Sequence, residues 1–109
     1  MVERTRAPRS RRKAQGQFFT PAAVAESLLR RASDDLASAG EAVPAGAVLD
    51  PACGDGAFLT AAAVVGWATV SRLRGRDTDA SVLAGPPGAV LDVGDGLAVE
   101  GVFDAVVGN

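Results

Sequence analysis

Histidine is absent from the 109 residues, and cysteine occurs once, as Cys53. Together these absences remove an internal disulfide, a histidine-based catalytic triad and any plausible zinc cluster from the chemistry open to these residues. Long apolar runs are missing too. Hydrophobic residues make up 48% of the chain, yet no stretch approaches the roughly 20 uninterrupted apolar residues of a membrane span. The basic N-terminus is followed by no apolar core of signal-peptide type, so no secretory address is read and the cytoplasm is the expected compartment. There is no internal repeat, and no low-complexity segment beyond that basic start. Carboxylates and backbone amides are what remain to do chemistry.

The formal charge of −2 hides a division. Met1 to Lys13 holds six Arg and Lys against Glu3 alone, a net of +5, while the rest holds five against twelve, a net of −7. Residues 1–14 carry almost no large apolar side chains, cannot offset their ordering entropy by burial, and are read as a basic disordered arm. Such an arm suits nucleic-acid phosphates or serves only as a solubilising tail. Residues 15–109 form the acidic globule. At this length the chain is short for a complete nucleotide-binding enzyme, which usually needs about six or seven strands, so a fragment is expected.

Thr20-Pro21 reads as a helix start, because a threonine hydroxyl accepts a free amide of the first turn and proline at the first helical position has no amide to lose. Val24, Leu28, Leu29, Ala32 and Leu36 follow at helical spacing, and the helix is expected to end near Gly40. After a linker over 41–46, Ala47-Val48-Leu49 reads as a short buried strand and Ala57 to Val65 as a packed, Ala-rich helix. A second strand is expected from Leu73 to Arg76, ending at Asp77. One or two helical turns over 80–84 stop at Gly85-Pro86-Pro87-Gly88. Ala89 to Asp92 and Phe103 to Val107 supply two more strands, the last read as parallel and buried on both faces. The alternation implies a doubly wound, mostly parallel α/β sheet, seen here through its fourth strand.

In such a sheet ligands sit beyond the carboxyl ends of the strands, and Asp50, Asp77, Asp95 and Asn109 all fall at or just after one. Gly54 and Gly56 allow a tight turn and close approach of a ligand, and the helix that follows offers free amides to an anionic group. Asp77 lies 23 residues beyond Gly54, a spacing that suits a carboxylate accepting both hydroxyls of a ribose. A pyrophosphate site wants three glycines and few nearby charges. Here Leu59 takes the third position and Asp50 and Asp55 flank the turn, which favours a ligand with an ammonium and a sulfonium, as in S-adenosylmethionine. Cys53 is read as a small buried or cofactor-lining residue, since no histidine can activate it. Asp55, Asp79 and Asp104 are read as turn or capping residues, and Trp67 as packing.

Five segments then fall in register: Gln17 to Pro21, Asp50 to Gly56, Gly75 to Asp79, Gly94 to Leu97 and Phe103 to Asn109. In order and spacing they resemble successive motifs of the adenine-specific, amino-methylating DNA methyltransferases of restriction-modification systems. The resemblance implies a Rossmann-like, S-adenosylmethionine-dependent methyltransferase fold, of which these residues are the N-terminal, cofactor-binding part. It implies that Phe18, Thr20 and Pro21 cover the methionine end of the cofactor. Asp50, Ala52, Cys53, Gly54 and Gly56 hold its amino acid moiety, Asp77 its ribose, and Asp95 the amino group of its adenine. Asn109 matches the first residue of the Asn-Pro-Pro-Tyr/Phe motif, whose amide oxygen accepts from the target amino group of a base flipped out of the duplex. DNA is the implied partner, with a specificity or restriction subunit as a further one and no membrane. On this reading the 109 residues alone are inactive.

Two other functions remain open on the sequence. One keeps the cofactor and changes the acceptor to RNA or a protein glutamine amide, since such enzymes share an Asn-Pro-Pro-Tyr type motif. The other is an inactive, truncated chain that binds nucleic acid non-specifically through Arg4 to Lys13.

Overall fold

A computed structural model describes residues 20–108. Phe18, Asn109 and the basic arm lie outside the described residues. The order is α1 (Ala22–Ser38), β1 (Val48–Asp50), α2 (Ala57–Val64), β2 (Leu73–Asp77), β3 (Val90–Val93) and β4 (Ala105–Val106), with one-turn 3₁₀ helices at Val70–Arg72, Ala80–Val82 and Gly96–Ala98. All pairings are parallel, and the strand order is β3-β2-β1-β4. The α/β architecture with a parallel sheet expected from the sequence is therefore present. None of the helices among the described residues is long and apolar enough to cross a membrane.

The core forms where the two helices meet one face of the sheet. Val48 and Leu73 from adjacent strands and Leu59 from α2 are fully buried, and Ala25, Leu29, Cys53, Phe58, Ala61, Ala62 and Trp67 complete the cluster. Burying each large aliphatic side chain contributes about 1.5–3 kcal/mol, which lets three- to five-residue strands persist. The Trp67 ring is locked by its indole N–H, which donates to Ser33 Oγ of α1 at 2.8 Å. Its expected packing role holds.

Several local expectations shift. α1 begins at Ala22 with Pro21 as its N-cap, one residue later than the Thr20 cap expected, and the Pro21 carbonyl accepts from the amides of Val24 and Ala25 at 3.0 Å each. Its buried stripe runs through Ala25 and Leu29, while Val24 and Leu28 are about half exposed. A small Ala25 lets α1 approach α2 closely, which rotates the helix away from the larger residues beside it. β4 is two residues long, not five, and Val106 is 65% exposed instead of buried on both faces, because only β1 pairs with it.

Candidate functional site

The strand order decides where a ligand belongs. The chain runs outward from β1 through β2 to β3, then returns to the other side of β1 to form β4, so the connections diverge between β1 and β4. That divergence opens a crevice beyond the carboxyl ends of the two strands. A cavity of about 610 Å³ lies there, bounded by Asp50, Pro51 and Ala52 after β1, Val106 to Gly108 at β4, Leu28 and Leu29 of α1, and Phe58 and Trp67.

One charged group faces this otherwise apolar crevice. Asp50 is 2% exposed, and its Oδ1 accepts only the amide of Ala52, at 3.1 Å. Burial is the main reason its carboxyl is pushed up to about 6, against the smaller opposing effect of the Ala52 hydrogen bond, and the nearby Asp77 and Asp55 charges push the same way. A buried carboxylate among other carboxylates, with no counter-cation paired to it among the described residues, is a costly arrangement that a cationic ligand relieves. Gly108 brings β4 against the same oxygen: a methyl group there would sit 2.8 Å from Asp50 Oδ1.

The glycine turn is built as much for the fold as for a ligand. Gly56 caps α2 in the left-handed region at φ 81°, and a side chain there would meet the carbonyl of Ala84 at 2.5 Å. Asp77, 5% exposed, holds the turn from the next strand: its Oδ2 accepts the amide of Gly54 at 2.9 Å and its Oδ1 the amide of Asp79 at 3.0 Å. Each oxygen keeps a further acceptor direction. Cys53 packs beneath the turn, and burial, followed by the Asp50 and Asp77 charges, pushes its thiol up to about 12, far from a nucleophile's range. Asp55 accepts the amide of Ala57 at the start of α2, Asp79 that of Ser81, and Asp104 that of Ala47. Asp55 and Asp79 thus have the turn and capping roles expected of them, whereas Asp104 instead ties the lead into β4 to the residue before β1, 57 positions away.

The third strand end brings Asp95 to the same edge. Its Oδ1 accepts the amide of Leu97 at 2.9 Å, and it is exposed. The following Gly96 lies flush against the Pro51 carbonyl, where any side chain would clash. The ends of β1, β2 and β3 thus gather Asp50, Asp77 and Asp95 along one edge. Thr20 and Pro21 stand at the entrance to α1.

The model of the family described as N-6 DNA Methylase matches residues 5–74, well over half of the chain. The chain belongs to the N-6 DNA methylase family. The match takes in α1, β1, the glycine turn and α2, whereas Asp77 and Asp95 lie beyond its end. Neither a curated protein nor a solved structure matches the chain. Sequence reasoning missed the apolar wall made by Leu28, Phe58 and Val106, because a crevice wall is assembled from three elements and has no local signature. It also assigned no role to Arg74, Arg76 and Asp92, whose opposite charges on two strands expected to be neighbours were the available signal.

Proposed function

We propose that these residues form the S-adenosylmethionine-binding part of a methyltransferase acting on the exocyclic amino group of adenine in DNA, in the manner of restriction-modification enzymes. The observation that carries this reading is Asp50, a buried carboxylate opening on an apolar crevice at the strand-order reversal. The donor set fits the group. A carboxylate beside Leu28, Leu29 and Phe58 suits an ammonium and a thioether-like chain, and the acidic surroundings oppose a pyrophosphate.

S-adenosylmethionine, when bound, supplies a methyl group on a positively charged sulfur to a nucleophilic amine. Asp50 would hold the ammonium of the methionine end, with Ala52, Cys53, Gly54 and Gly56 shaping the turn around it and Phe18, Thr20 and Pro21 covering it. Asp77 would keep the turn closed while offering its remaining lone pairs to the ribose hydroxyls. Asp95, with one oxygen committed to Leu97, has the other for the adenine amino group. Asn109 would accept from the target amino group.

The family match favours DNA over RNA or a glutamine amide as the acceptor. Phosphate contact is assigned to Arg4 to Lys13, where six of the eleven basic residues cluster; among the described residues Arg30, Arg31, Arg74 and Arg76 each stand within 4.0 Å of a carboxylate, which leaves the exposed Arg72 as a further contact. A specificity or restriction subunit would complete such a system. Calorimetry tests the core of the reading: S-adenosylmethionine should give a saturable heat with the chain and NAD should not. Binding of NAD without binding of S-adenosylmethionine would overturn it.

A further inference from the structure

The face of the sheet opposite the helices carries an ion network that the roles above leave unused. Arg76 of β2 and Asp92 of β3 are directly paired in the parallel register. Arg76 Nε donates to Asp92 Oδ1 at 2.8 Å, and Arg74 Nη2 donates to Asp92 Oδ2 at 3.1 Å, so both carboxylate oxygens are held. With Nε fixed, the guanidinium plane is fixed, and its Nη1 reaches past the end of β3 to donate to the backbone carbonyl of Asp95 at 3.1 Å. The chain passes so close to this group that a methyl at Gly94 would lie 3.1 Å from Nη1. Beyond Asp95, Gly96 is pressed against Pro51. Asp95 is therefore fixed from both sides, and its own Oδ1 is committed to Leu97.

We infer that Arg76 is a positioning residue for the adenine end of the donor: clamped by Asp92, it holds the Asp95 turn so that the second carboxylate oxygen faces the base amino group. This rests on the donor reading given above. A planar guanidinium does this because it presents separate donors in a rigid fork, which an ammonium cannot. The side chain is 19% exposed; its bond to Asp92 is partly buried, while the one to the Asp95 carbonyl lies at the surface. Arg76 acts through Asp95 and does not itself touch the ligand.

The test compares S-adenosylhomocysteine with S-inosylhomocysteine, in which a carbonyl replaces the amino group, by calorimetry on the full chain. The unaltered chain should prefer the adenine compound by at least about fivefold, the worth of one hydrogen bond. Arg76→Met should bring the preference to within about twofold. Arg76→Lys, which retains the charge opposite Asp92 and carries the test should the methionine variant fail to fold, should lose it as well. Asp95→Ala combined with Arg76→Lys should lose no more than either alone. Retention of the full preference in either folded Arg76 variant would overturn the inference, as would equal binding of the two compounds by the unaltered chain. Binding of neither compound by the unaltered chain would instead sink the donor reading and this inference with it.

Discussion

Asp50 sets the most direct consequence at the scale of single residues. Its carboxyl is pushed up to about 6 on folding from an ordinary 3.8, so between those values the folded chain holds a proton that the unfolded chain has released. Stability therefore falls as pH rises through this window, by about 3 kcal/mol, and stays lower above pH 6. Urea unfolding at pH 4 and pH 7 should show this drop in the unaltered chain and lose most of it in Asp50→Asn. That variant should be the more stable at neutral pH, yet on the proposed reading bind a cationic donor at least about tenfold more weakly, since the charge that costs stability would be the one that attracts the donor. Gly56→Ala acts through the backbone instead. Its left-handed φ and the nearby Ala84 carbonyl should cost at least about 2 kcal/mol, read as a lower urea midpoint with an unchanged slope.

Among elements, the contact between α1 and α2 positions the crevice, because α1 supplies Leu28 and Leu29 to its wall. Trp67 ties the two helices through Ser33. Trp67→Phe removes that hydrogen bond and part of the buried ring, so thermal unfolding should show a loss of at least about 1 kcal/mol. β4 has the opposite character. It pairs with β1 on one side only and leaves Val106 65% exposed, and an apolar edge of this kind is a template for self-association. Light scattering at rising concentration should show less association for Val106→Lys than for the unaltered chain. The helix pattern in the sequence holds in period and at Leu29 and Ala32, which pack into the core, and fails at Val24 and Leu28, which are about half exposed. Val24, Ala25, Leu28 and Leu29 form an apolar band wide enough to face the core along either edge, and only the close approach of α1 to α2 at Ala25 selects one of them.

Over the whole molecule, the separation of a basic start from an acidic globule governs how the chain meets a polyanion. Removing residues 1–13 changes the net charge from −2 to −7, and association with duplex DNA should be abolished by that deletion. In the intact chain the logarithm of affinity should fall against the logarithm of salt with a slope no steeper than about −5, the limit set by six basic side chains. An unaltered slope after the deletion would place the phosphate contacts elsewhere. The sequence alone marks out the elements and their approximate limits, because Val48-Leu49 and Val90-Leu91 are short apolar runs close to turn-forming residues, and because Gly54 and Gly56 interrupt the chain at the head of a helix. It determined as well that carboxylates follow the strands. Folding alone settles that β4 returns beside β1 and opens a crevice on Asp50, that Asp77 spends its first lone pairs closing the glycine turn, and that Arg76 finds Asp92 and then Asp95. Local propensity and hydrophobic period depend on neighbours within a few positions, whereas strand order, register and the desolvation of a carboxylate depend on groups that only the folded chain brings together.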